Sequence, residues 1–224
     1  MILSRRSLLA GSASVLAGSA ALATTRGARA SGAIDDLLAR VAKARQPVRT
    51  LKGPFTQTRT IGLLSTDVRS VGSLTLVRPD RLRWELAPPD AVTFWIGPEG
   101  LAYRSPHGQG RMPASSARIA ASLQDLHALL GGDLSRLAER WSLAVLRDDS
   151  SGAEIEAHAR APVSSAAASS SPGGTRTMRF ALASDLVRPT RALLVEGEND
   201  RTSIEFGDLS INAPVDESAM RLPS

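Results

Sequence analysis

This chain offers few residues that could do chemistry. Its three histidines, His107, His127 and His158, stand far apart, in a turn, a helical stretch and a strand-like stretch. A metal or acid–base site built from them would need the fold to bring them together. Asp148-Asp149 and Glu154-x-Glu156 pair carboxylates, but they flank or alternate along strand-like segments as solvated residues do. The absence of cysteine excludes a thiol nucleophile, a disulfide framework and cysteine-ligated zinc. Neither a G-x-S-x-G elbow nor a Gly-rich phosphate loop is present. The residues read as those of a binding protein and not an enzyme, with no metal and no cofactor.

What the chain has instead is apolar residues at strand spacing. Between Gly72 and Leu86, Leu74 and Leu76 share one face of a first strand, and Leu82, Trp84 and Leu86 share one face of a second. Ser73, Thr75, Arg81, Arg83 and Glu85 take the opposite faces, so the sheet has a greasy side and a wet side. Pro79 and Asp80 break the two strands apart and leave Arg78 at the end of an apolar run. Sharing apolar faces between strands would gather Phe55, Leu74, Leu76, Trp84, Leu86, Phe94 and Ile96 on one side of the sheet. That side could be a closed core, or it could hold a cavity for acyl chains at about 0.8 kcal/mol per buried methylene.

The elements that must position these residues follow in order. Residues 1–30 read as an export signal, with Arg5-Arg6, an Ala/Gly/Leu-rich run and an Ala28-Arg29-Ala30 cleavage site; the paired arginines suit the twin-arginine route or an ordinary secretory one. The whole chain carries 27 basic and 22 acidic residues, but the signal contains four arginines and no acid. The remaining balance of 23 to 22 gives no footprint for nucleic acid. Residues 31–224 suit a single domain. Ile34, Leu37, Leu38 and Val41 predict a helix over Ala33–Arg45, stopped by Pro47. Short strands then alternate with Gly/Pro turns as far as Ser105, the pattern of a barrel or sandwich. Ile119, Leu123, Leu126 and Leu130 predict a helix ending at Gly131-Gly132, and Leu134, Leu137 and Trp141 a second one. Further strands are expected at Leu143–Arg147, Ala153–Arg160, Met178–Ala183, Ala192–Glu198 and Thr202–Ile211, with a Ser/Ala/Gly loop over 162–174.

The order of these pieces resembles the LolA family of periplasmic lipoprotein carriers. The resemblance runs through Phe55-Thr56-Gln57, Gly72, Leu74, Arg78-Pro79, Arg83-Trp84, Arg188-Pro189, Thr202–Phe206 and Asn212-Ala213-Pro214-Val215. It implies an α+β, β-dominated fold, a half-open antiparallel barrel whose concave apolar face lies under a helical lid that includes Leu37, Leu123, Leu126 and Leu130. It also implies that Arg78 hydrogen-bonds the lid and holds the empty pocket shut. The implied partners are the acyl chains of outer-membrane lipoproteins, an inner-membrane ABC transporter as donor and an outer-membrane receptor, with the carrier a periplasmic monomer. The paired arginines, the long 162–174 loop and Met220, where the family has phenylalanine, depart from the pattern. They leave room for a paralogue carrying another amphiphile, a glycolipid or polyene ester, or for a lipid-sensing periplasmic module.

Overall fold

The computed structural model of the 224-residue chain describes residues 21–61, 66–112, 125–131, 133–160, 176–196 and 200–221. Side chains are described from Gly32 onward. The apolar alternation has become one antiparallel sheet, in chain order β1 (Thr50–Ile61), β2 (Thr66–Val77), β3 (Arg81–Leu86), β4 (Thr93–Gly97), β5 (Gly100–Ser105), β6 (Gly108–Met112), β7 (Trp141–Asp149), β8 (Gly152–Ala159), β9 (Arg176–Ala183), β10 (Pro189–Glu196), β11 (Asp200–Phe206) and β12 (Ser210–Ile211). Strands β1 to β6 form one meander and β7 to β11 another. Pairing of β1 with β11 fuses them, and β12 adds to the start of β1. Edges β6 and β7 do not meet, so the barrel is incomplete.

Among the described residues three α-helices accompany the sheet, besides a short 3-10 helix over Glu217–Met220. They are α1 (Ala21–Arg45), α2 (residues 125–130) and α3 (Ser135–Arg140). The first was expected to begin at Ala33 but is already helical at Ala21, the first described residue, because residues 21–32 are alanine-rich and contain no proline to stop a helix. Asp35 and Asp36 therefore sit inside α1. Its buried stripe, Ile34, Leu37 and Val41, packs into one core with Leu51, Phe55, Leu74, Leu76, Leu82 and Trp84 from the first meander and Ile155, Met178, Phe180 and Leu182 from the second. The core lies between the helices and one face of the sheet.

Boundaries elsewhere moved for local reasons. Trp141 was read as the end of a helix, yet it adopts extended dihedrals, φ −125° and ψ 144°, and opens β7. Strand β6 was missed because its Gly-Gln-Gly start shows no apolar alternation. The single strand expected over Thr202–Ile211 is two, β11 and β12. Between them the Gly207 N–H turns to Pro54 O at 3.0 Å, and Leu209 is buried against Gly53, where a Cβ would stand 2.7 Å from a leucine methyl. The 162–174 loop lies outside the described residues, as does most of the helix expected before Leu126. No helix among the described residues is long and apolar enough to cross a membrane.

Candidate functional site

The apolar residues singled out in the sequence come together on the helix-covered face. Register places Phe55 beside Gly72 and Gly72 beside Leu86, with Leu74, Trp84 and Phe94 in the next row and Leu76, Leu82 and Ile96 in the row after. The Phe55 and Trp84 rings stack with centroids 3.7 Å apart, and Phe206 meets Trp84 edge-on at 6.4 Å. Gly72 permits this, since a Cβ there would lie 2.6 Å from the Phe55 ring. Phe55, Leu74, Leu76, Trp84 and Ile96 are buried; Leu86 and Phe94 are half-buried and pack against them. From the cover, Leu37 and Leu130 are fully buried and Leu126 packs on the same cluster, while Leu123 lies outside the described residues. The cover is close. Gly131, at the end of α2, leaves so little room that a Cβ would come within 2.0 Å of Leu76 Cδ2.

Polar groups fasten this cover at its two ends. At one end Arg78, in the turn after β2, donates through Nη1 to the carbonyl of Arg45, the last residue of α1. Arg45 in turn is 2% exposed and donates through Nη2 to Leu129 O at 2.6 Å and through Nη1 to Ala128 O at 3.4 Å. The last carbonyls of a helix lack partners within it, and a guanidinium with five donors in one plane can serve several of them. The chain of contacts therefore runs from sheet to α1 to α2. Burial, and secondarily the Arg78 charge, lowers the pKa of Arg45 to about 10, which leaves it charged at neutral pH.

Sequence reading found Arg78 but missed Arg45, which it gave only as the last residue of the first helix. The signal was present, because Arg45 follows Val41 by four residues on the stripe of Ile34 and Leu37 and so had to point inward.

At the other end Asp125 is buried and accepts from Arg140 Nη2 and from Trp141, while Arg176 lies over the Trp141 ring at 5.3 Å. Burial raises the Asp125 carboxyl above its ordinary value, although Arg140, Trp141 and Arg176 pull it down. His127 sits between the two fastenings, half-buried, near Asp80, Arg136 and Arg78, and burial holds its pKa below 6.5. His107 is exposed in the β5–β6 turn, and His158 pairs with Glu156 at 3.0 Å on the outer side of β8. The histidines are thus not gathered. Among the described residues no group of three or more His, Cys, Asp and Glu could hold a metal. Arg81 and Arg83 turn outward to Glu99 and Glu85, both at 2.8 Å.

A groove of about 760 Å³ lies on the other face of the sheet. Two successive outward rows line it, Glu205, Thr56 and Val71 in one, and Pro54, Ser73, Glu85 and Thr93 in the other. The β3–β4 loop walls it with Ala87, Pro88 and Ala91. Phe55 and Leu86, which lie between the rows, are the two of the seven expected cavity residues that border it. On the helix-covered face the described apolar side chains form one buried cluster.

No protein-family model matches the chain, and no curated protein does. Among solved structures it is similar to MucB from the Pseudomonas aeruginosa MucA/MucB complex, at 15% identity and a TM-score of 0.48 over 84% of this chain. The chain spans 60% of the length of that MucB chain. It is also similar to a LolA superfamily protein from Nitrosomonas europaea, at 8% identity and a TM-score of 0.43, over 84% of this chain and 96% of that one. A third is the Mycobacterium tuberculosis lipoprotein LppX, at 14% identity and a TM-score of 0.40, over 81% of this chain and 98% of that one. The likeness is one of fold.

Proposed function

We propose that this protein is a periplasmic carrier that takes up lipid acyl chains between its sheet and its helical cover, and shuttles lipoproteins from the inner to the outer membrane. Its donor would be an inner-membrane ABC transporter and its acceptor an outer-membrane receptor. The observation that carries this reading is the contrast at the cover. Its contact with the sheet is apolar and made of Phe55, Leu74, Leu76, Trp84 and Leu130, whereas its fastening at the α1 and α2 ends is a short relay of hydrogen bonds through Arg78 and Arg45. An apolar seam gives way to acyl chains without exposing unpaired polar groups, and a few polar bonds make a latch that can open. The LolA-like residue pattern supports the same reading.

The test uses protein recovered from the exporting cell, with an amino terminus expected near Ser31. A fluorescent fatty acid should bind saturably at micromolar concentration or below, shift tryptophan emission through Trp84, and be displaced by a triacylated lipopeptide. Absence of saturable binding by a folded sample would mean that the apolar face is a permanently closed core. Displacement by a glycolipid but not by the lipopeptide would assign the carrier another amphiphile.

A further inference from the structure

The groove on the outer face of the sheet has a fixed wall and charge of one sign. Its wall, the β3–β4 loop, is pinned at several points. The Ala87 N–H reaches Val71 O at 2.8 Å, the Leu86 N–H reaches Val92 O at 2.8 Å, and the Ala91 N–H closes on Ala87 O at 3.2 Å. Ser70 Oγ donates to the Asp90 carboxylate of the same loop. The groove is therefore preformed, and its 760 Å³ is of the size that small-molecule sites have. Its middle is apolar, lined by Pro54, Val71, Ala87, Pro88 and Ala91. Val71, at 50% exposure, is among the exposed large hydrophobic residues. The charged residues of the lining are Glu85 and Glu205, and no lysine, arginine or histidine belongs to it.

Register fixes where the two carboxylates stand. Glu205 shares a row with Thr56 and Val71, and Glu85 shares the next row with Ser73 and Pro54. Strands β11, β1, β2 and β3 are consecutive neighbours. Three strand spacings and one step between rows thus separate the two glutamates, on the order of 15 Å between their Cα atoms. Each touches one guanidinium that stands outside the lining, Glu85 Oε2 at 2.8 Å from Arg83 Nη2 and Glu205 Oε1 at 3.6 Å from Arg191 Nη2. Ion pairs at such exposure are worth little, and a carboxylate with two oxygens can take a second cation. Arg104, beside Thr93 in the Glu85 row, is engaged elsewhere, with Gln109 Oε1 at 3.2 Å and over the Trp95 ring.

We propose that this groove is a binding site for a small dicationic amphiphile, an apolar chain with an ammonium or guanidinium group at each end, spaced to reach Glu85 and Glu205 together. The chain covers Val71 and the prolines and alanines of the middle. Each cationic end pairs with one carboxylate, and the hydroxyls of Thr56, Ser73 and Thr93 accept its remaining N–H groups. A monocation satisfies one glutamate and leaves the other, and an anionic lipid meets two like charges. The groove therefore discriminates against the fatty acids proposed for the helix-covered face. It lies on the opposite face of the sheet, so the assignment stands apart from the carrier reading.

Calorimetric titration of the exported protein at low ionic strength tests this, with dodecamethylenediamine as the probe. The diamine should bind saturably at a single site, roughly threefold to fivefold more tightly than dodecylamine, which carries one ammonium group. Hexamethylenediamine, too short to span the glutamates, and dodecanediol, which has no charge, should both bind more weakly than the long diamine. Glu85→Gln and Glu205→Gln should each bring the diamine down to the affinity of dodecylamine, while circular dichroism and fatty-acid binding stay those of the parent. Absence of saturable diamine binding by the folded parent would overturn the proposal, as would equal binding of diamine and diol. So would glutamine variants that bind the diamine as the parent does; displacement of the fluorescent fatty acid in that case would place the diamine under the helical cover instead.

Discussion

At the scale of single residues, Arg45 decides more than its neighbours. A buried cation is tolerated only where its hydrogen bonds are made, and removing it strips partners from carbonyls that have no others within the helix. Hydrogen bonds to a charged group are worth about 1.5–3 kcal/mol each. The 3.4 Å contact to Ala128 O is at the long limit, so the bond to Leu129 O carries most of that. Arg45→Ala should lower unfolding stability by about 2–3 kcal/mol, and hydrogen exchange should quicken at the α2 amides before it does in the sheet. Arg45→Lys keeps the charge but lacks the planar fork, and should recover only part of the loss. Denaturant titration of the three proteins checks the order; an Arg45→Ala protein as stable as the parent, with α2 equally protected, would show that the cover is held by apolar packing alone.

At the scale of elements, α2 is the piece poised to move, and His127 makes its hold depend on pH. Burial depresses the folded-state pKa of His127 below the ordinary 6.5, with Arg136 and Arg78 adding to that and Asp80 opposing it. A depressed pKa means that the unfolded or opened form takes up the proton more readily. The stabilising contribution is therefore whole above pH 6.5 and is lost as pH falls through the folded value. Exchange of α2 amides should quicken as pH is lowered from about 7 toward about 5, after correction for intrinsic rates, and His127→Gln should flatten that dependence. Equal slopes in the two proteins would assign the pH response to another group. Elements of this kind were unevenly legible in the sequence. Strand β3 was readable to the residue because Leu82, Trp84 and Leu86 alternate without interruption, and α1 was recognisable by its stripe. Strand β6 and the break at Gly207 left no periodic trace, because glycine and pairing with distant strands decide both. The outer-face groove was not legible either. Its lining comes from β1, β2, β3, β4 and β11, which only the register brings into two rows.

At the scale of the whole molecule, the proposed carrier function and a buried apolar cluster under the cover agree if uptake is coupled to opening. Among the described residues of that face, Phe55 stacks on Trp84 and Gly131 packs against Leu76. On the proposed carrier reading, cargo that enters under the cover binds the fraction of molecules whose cover has lifted, and the apparent dissociation constant is the intrinsic one divided by that fraction. Arg78→Leu removes the bond from the sheet to the end of α1. At about 1.5–3 kcal/mol for that bond, the open fraction should rise roughly tenfold to a hundredfold. Fatty-acid affinity should rise by the same factor, and release to an acceptor vesicle should slow. Arg81→Leu serves as the control, since Arg81 pairs outward with Glu99. Stopped-flow uptake by the parent should level off with increasing ligand at a rate set by opening, and Arg78→Leu should raise that plateau. If the rate instead climbs linearly with ligand in both proteins, or if Arg78→Leu and Arg81→Leu bind and release as the parent does, then Arg78 is an ordinary surface arginine and the cover is not a gate.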